Sequence, residues 1–300
     1  MRLLATVDPL PSLAGRCTSG GRLNLARALG QTHVIQAAPF DWVPTAGLTP
    51  LTLSNDGVSP AQALPFAFYF HGQNYSQIFV GANGLMGFVN SGLSNGANAD
   101  LPSATTPNAT IYPYWDDLNP SAGGTIYFGV IGEAPNRRAV ASWNAVPHNL
   151  TSGGVTPITA QAILHEGGAI SFQYLQVEQG NATRVMGKSA TIGVEDPIGS
   201  IAAKYSYNGS ALVTNGQAMV FTTTGHVPPM PGLTALSAPA GQFAMRISAE
   251  PGRSCVIYNS TNLPVWAPLV TNLVPASGVL NYTNASLTSS PQRFYRAALQ

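Results

Sequence analysis

The chain has 300 residues, of which only 13 are Lys or Arg and 12 are Asp or Glu. A formal net charge of +1 with no clustered basic run excludes a nucleic-acid binder, which sets Lys and Arg against phosphate. With 31 glycines and 24 prolines, both costly inside helices, a helical bundle is excluded, and a hydrophobic content of 45% excludes disorder.

Met1–Leu4 is a short apolar run with one Arg, and Asp8, Pro9 and Pro11 break any export-signal core behind it. No apolar run approaches the roughly 18 residues of a membrane span. The composition therefore predicts a secreted β protein whose export signal is missing from this chain. Ser19 and the run GGRLNLARALG up to Gly30 predict a short helix, with Ser19 as N-cap and Gly30 as its stop. This first segment carries Arg2, Arg16, Arg22 and Arg27 against Asp8 alone.

Residues 31–225 are acidic and read as strands. Phe66, Phe68 and Phe70 alternate with Ala67 and Tyr69, which puts three rings on one face. IFV (78–80) and LMGFV (85–89) flank Asn83-Gly84, a hairpin signal. Further strands are predicted at 125–131, 138–143, 158–165, 169–175, 189–194, 202–207 and 217–222, with a tight turn at Glu166-Gly167-Gly168. Short strands with Gly and Asn turns point to a β-sandwich or jelly roll. HVPPMPG (226–232) is a proline-rich linker. Beyond it, strands are legible at 242–248, 254–260, 278–283 and 293–298, in a basic module holding Arg246, Arg253, Arg293 and Arg296 against Glu250. Cys17 and Cys255 are too few for a disulfide framework.

Candidate chemistry is sparse. The histidines at 33, 71, 148, 165 and 226 lie in no catalytic or zinc-binding motif, and read as surface or turn residues. Tyr112, Tyr114, Trp115, Asp116, Asp117 and Asn119 form the densest polar-aromatic cluster. Asp116, Asp117 and Asn119 offer hard oxygen ligands for a structural calcium ion, or else cap backbone amides after a buried Trp. Tyr112, Tyr114 and Trp115 could present rings to a glycan, or else fill the core. No other cofactor is implied.

Three resemblances follow from longer runs. VDPLPSLAGRCTSGGRLNLARAL (7–29) resembles the C-terminal end of a subtilisin-like serine protease catalytic domain. That family's Asp, His and Ser motifs are absent, so no catalytic triad is expected in this chain. LPFAFYFHGQNYSQIFVGANGLMGF (64–88) with IYPYWDDL (111–118) is similar to nidogen-like β modules, which implies an extracellular adhesion or accessory role. STNLPVWAPLV (260–270) and RFYRAAL (293–299) look like a small C-terminal β module of secreted bacterial proteins.

The expected fold is mainly β: a nidogen-like sandwich followed by a small β-sandwich, with a short N-terminal helix. The expected division is a protease-domain remnant (1–30), the nidogen-like sandwich (31–225), the linker (226–232) and the C-terminal module (233–300). The expected function is that of a non-catalytic accessory region of a secreted subtilisin-like protease, with an upstream protease domain in cis. Its partners would be matrix, cell surface, or a protein or glycan substrate, with no nucleic acid and no membrane span. The alternative is a stand-alone extracellular adhesion or glycan-binding β protein.

Overall fold

The structure, a computed structural model, describes residues 7–13, 15–18, 21–22, 33–150, 155–223, 228–285 and 292–300. Regular structure among these is almost all strand, with three single turns of 3-10 helix. The strands open with β1 (Asp8–Pro9), β2 (Gly21–Arg22), β3 (His33–Ala38), β4 (Thr49–Leu51), β5 (Gln62–Phe70), β6 (Gln73–Gly81) and β7 (Leu85–Gly87). They continue with β8 (Thr110–Trp115), β9 (Thr125–Ile131), β10 (Arg138–Pro147), β11 (Pro157–His165), β12 (Ile170–Gln176), β13 (Thr191–Glu195), β14 (Ala202–Tyr207) and β15 (Gln217–Thr223). The last are β16 (Gly232–Leu236), β17 (Phe243–Ser248), β18 (Ser254–Ser260), β19 (Ala267–Leu273), β20 (Val279–Asn284) and β21 (Phe294–Leu299).

A seven-stranded sheet in the order β3-β15-β12-β11-β10-β9-β4 faces a six-stranded sheet in the order β14-β13-β8-β7-β6-β5. All pairings in both sheets are antiparallel. The shared core follows from alternation. Leu64, Phe66, Phe68 and Phe70 of β5 point inward while Ala67 and Tyr69 do not, so every second residue meets the opposite sheet. Phe172, Tyr174, Met219 and Phe221 answer from the other side. Removing a ring such as Phe68 should cost about 3–5 kcal/mol. Two polar bonds tie the layers together: Trp143 Nε1 donates to the Gly81 carbonyl (3.0 Å), and the Tyr174 hydroxyl to the Pro113 carbonyl (2.9 Å).

β8 does not alternate, because both of its faces are covered. Inside it meets the main core, and outside the loop 90–109 lays Leu93 and Leu101 against Tyr112 and Trp115. Pro113 lacks an N–H for the ladder, and β13 shifts register opposite it, between Thr191 and Gly193.

On the outer face of the seven-stranded sheet, the segment 39–48 is held by two buried glutamines paired across β11 and β12. Gln173 accepts from Asp41 N–H and donates to its carbonyl, both at 2.8 Å. Gln161 does the same for Val43, at 3.3 and 2.6 Å.

The C-terminal strands form two further three-stranded sheets, β16-β17-β20 and β19-β18-β21, around Met245, Ile247, Cys255, Ile257 and Val274. They lie against the sandwich: Ala276 N–H donates to the Pro39 carbonyl (2.9 Å), and Arg138 Nη1 donates to the Ser277 carbonyl.

At the N-terminus the structure differs from the predicted helix. Gly21 and Arg22 pair with Asp8 and Pro9 as a short ladder, and the rest of that helix, 19–20 and 23–30, lies outside the described residues. No disulfide joins Cys17, which is exposed, to Cys255, which is buried.

Candidate functional site

The polar cluster read from the sequence sits where β8 leaves its sheet. Asp116 is its centre, with a side chain only 3% exposed. Its Oδ1 accepts from Arg184 Nη1 (3.1 Å) and from the Asp117 amide (2.8 Å). Its Oδ2 accepts from the Ser189 hydroxyl and lies 3.3 Å from His148 Nε2. His148 donates through Nδ1 to the Thr156 carbonyl (2.7 Å). Arg184 and Ser189 come from the segment between β12 and β13, and His148 from just beyond β10, so one carboxylate gathers two distant loops.

Asn83 completes the hub from the hairpin between β6 and β7. Its carbonyl accepts from Asp116 N–H (3.2 Å), its side-chain oxygen from Leu118 N–H (3.0 Å), and its amide donates to Asp56 Oδ1 (2.8 Å). Gly84 beside it has φ +73°, and a Cβ there would lie 2.0 Å from the Tyr114 carbonyl oxygen. Only glycine fits this turn.

Of the three predicted calcium ligands, Asp116 and Asp117 line one depression and Asn119 does not. Asp116 is engaged by Arg184 and Ser189. Asn119 caps its own turn, accepting from Ser121 N–H (2.9 Å). Asp117 faces an open polar depression of about 390 Å³, lined also by Asp56, Asp116, Asn98, Asn149 and Arg184. Partial burial, with Asp56 and Asp116 nearby, raises the Asp117 carboxyl above its ordinary range, against the Asn149 amide. Asp56 is the third acid of this depression, and the sequence reading missed it. Among the described residues no three His, Cys, Asp or Glu side chains group as a metal would require.

The three predicted ligand-contact rings are interior. Tyr112, Tyr114 and Trp115 are at most 2% exposed, so none offers a face for stacking. Their polar atoms bind backbone: Tyr112 donates to the Pro107 carbonyl, Tyr114 to Arg184 (2.9 Å) and Trp115 to Asn95 (2.7 Å). The expectation of surface histidines is also corrected. His33, His71, His148 and His165 are buried, and His226 lies outside the described residues. Burial, with His71 beside it, pushes His33 down to about 3. Burial and the neighbouring Arg138 do the same for His165.

Ser189, His148 and Asp116 are the residue types of a hydrolytic triad, but in the wrong order. A nucleophilic serine must bond the histidine, and the acid must orient that histidine from its far side. Here Ser189 bonds the acid, and the far nitrogen of His148 holds a backbone carbonyl. This arrangement anchors loops and activates no nucleophile.

The NIDO-related family matches residues 33–231. No curated protein and no solved structure matches the chain. The matched span runs from the start of β3 to the residue before β16, and takes in both sheets and the Asp116 hub. Two facing antiparallel sheets over that span, with the match itself, place the chain in the NIDO-related family.

Proposed function

We propose that this chain is a non-catalytic accessory region of a secreted subtilisin-like protease. The observation that carries the non-catalytic part is the wiring of Asp116, whose contacts hold loops and leave no activated nucleophile. The protease part rests on the resemblance of residues 7–29 to the end of such a catalytic domain. In this reading 1–30 is the protease remnant, 31–225 the nidogen-like sandwich, 226–232 the linker and 233–300 the terminal module. The chain would work outside the cell, holding an upstream protease domain near matrix, cell surface or substrate. Tethering of this kind raises effective concentration without new contacts at an active site.

Sequencing the source DNA upstream of the Met1 codon tests this. An open frame carrying the protease Asp, His and Ser motifs is the expected result. A stop codon close upstream would replace the reading with a free-standing adhesion or glycan-binding protein. The pairing of Asp8 and Pro9 with Gly21 and Arg22 favours that second reading. A serine-reactive fluorophosphonate should leave the purified chain unlabelled, and labelling at Ser189 would overturn the non-catalytic assignment.

A further inference from the structure

A second cavity lies where the terminal module meets the outer face of the seven-stranded sheet. It is a cleft of about 480 Å³, within the usual range of small-ligand sites. Asp41, Trp42 and Arg138 line it from the sandwich, and Arg246, Val279 and Asn281 from the terminal module.

Its charge is unbalanced. Arg138 and Arg246 both line it against Asp41, the one carboxylate in the lining; burial lowers the Arg138 guanidinium from its ordinary value, Asp41 opposes this and Arg246 adds to it. Arg138 is half-buried and bonds the neutral Ser277 carbonyl. Arg246 is exposed, and its side chain makes no hydrogen bond or ion pair with any described residue. Two guanidiniums and one carboxylate lining an open cleft leave a place for an anion. Arginine forks match a carboxylate in particular.

The wall beside them is rigid and aromatic. The Gln161 and Gln173 clamps fix the backbone on both sides of Trp42, and Trp42 stacks on Phe40 with ring centroids 6.3 Å apart. A fixed indole next to a cation pair suits a ligand with an apolar ring face and one carboxylate. Asn281 adds an amide that can meet hydroxyls.

We propose that this cleft binds an acidic saccharide, its carboxylate held by Arg138 and Arg246 and its ring set on Trp42. The inference stands apart from the protease reading, because a free-standing chain carries the same cleft. The test is ligand-observed NMR and calorimetric titration of the full chain with glucuronate, and with glucose and acetate for comparison. Glucuronate should bind saturably, roughly tenfold more tightly than glucose or acetate, since the carboxylate and the ring face each contribute about one charge-assisted or stacking contact. Arg246→Gln should weaken glucuronate roughly tenfold. Arg246 is exposed on β17, so this variant should keep the wild-type Tm. Trp42→Ala should weaken glucuronate and leave acetate unchanged. Absence of saturable glucuronate binding would overturn the proposal. So would acetate binding as tightly as glucuronate, or glucuronate binding that Arg246→Gln leaves intact.

Discussion

Asp116 shows how much one side chain can hold. Its replacement by Asn removes the charge that balances Arg184 and misplaces a donor among Ser189 and His148. Loss of one partner of a mostly buried pair should destabilise the sandwich by about 2–4 kcal/mol. For a domain of this size that lowers Tm by about 5–10 °C. Because its oxygens bind protein groups, the loss should be equal with calcium and with a chelator, by scanning calorimetry. A loss confined to the calcium sample would return Asp116 to the role of metal ligand. The sequence made Asp116 visible but not its partners. His148, Arg184 and Ser189 carry no local pattern, and they join it only because the sandwich brings distant loops to one end. The sequence left Tyr112, Tyr114 and Trp115 between a glycan face and the core, and what hid was the loop 90–109, which folds back over β8 and decides for the core.

At the scale of elements, Glu195 at the end of β13 fastens the loop 90–109. It is fully buried, accepts from Ser103 N–H (2.5 Å), and lies 3.0 Å from the Tyr112 hydroxyl. That hydroxyl has one proton and two acceptors, Pro107 and Glu195. A protonated Glu195 can donate back and satisfy all three groups. Burial, with Asp196 nearby, raises its carboxyl to about 7, and the Ser103 and Tyr112 bonds only partly oppose this. The folded chain thus holds a proton that the unfolded chain has released above its ordinary value of 4.5. Stability should fall as pH rises from there to about 7, and this contribution should level off beyond. Urea midpoints across that window should decline for the wild type and stay flatter for Glu195→Gln. Parallel slopes in the two proteins would exclude the latch.

Which elements were legible follows from the same physics. β5, β9, β14 and β18 were readable because alternation or β-branched runs are local signals. β8 and β19 were not. The first is covered on both faces, and the second starts Ala-Pro with a bulge opposite Ile257 and Tyr258.

On the scale of the whole molecule, the terminal module meets the sandwich through the segments 249–252 and 275–278. The terminal module has a small core and should be marginal alone. Its docking rests on the half-buried Arg138, which bonds the Ser277 carbonyl, on the Ala276–Pro39 backbone bond, and on the packing of Gly278 against His165 and of Gly252 against Val220. Calorimetry of the wild type should show one transition. Arg138→Ala should split it, with the smaller module melting first. A single unshifted transition in the variant would mean that docking has another source.

The paired glutamines under the segment 39–48 have a consequence for variation. They grip the main chain of Asp41 and Val43, a grip indifferent to residue type. The course of the polypeptide is therefore set independently of what positions 41 and 42 display. Substitutions there should change what the protein meets without changing its shape. The outer face of the sheet becomes a mount on which recognition can be rewritten while the architecture is inherited.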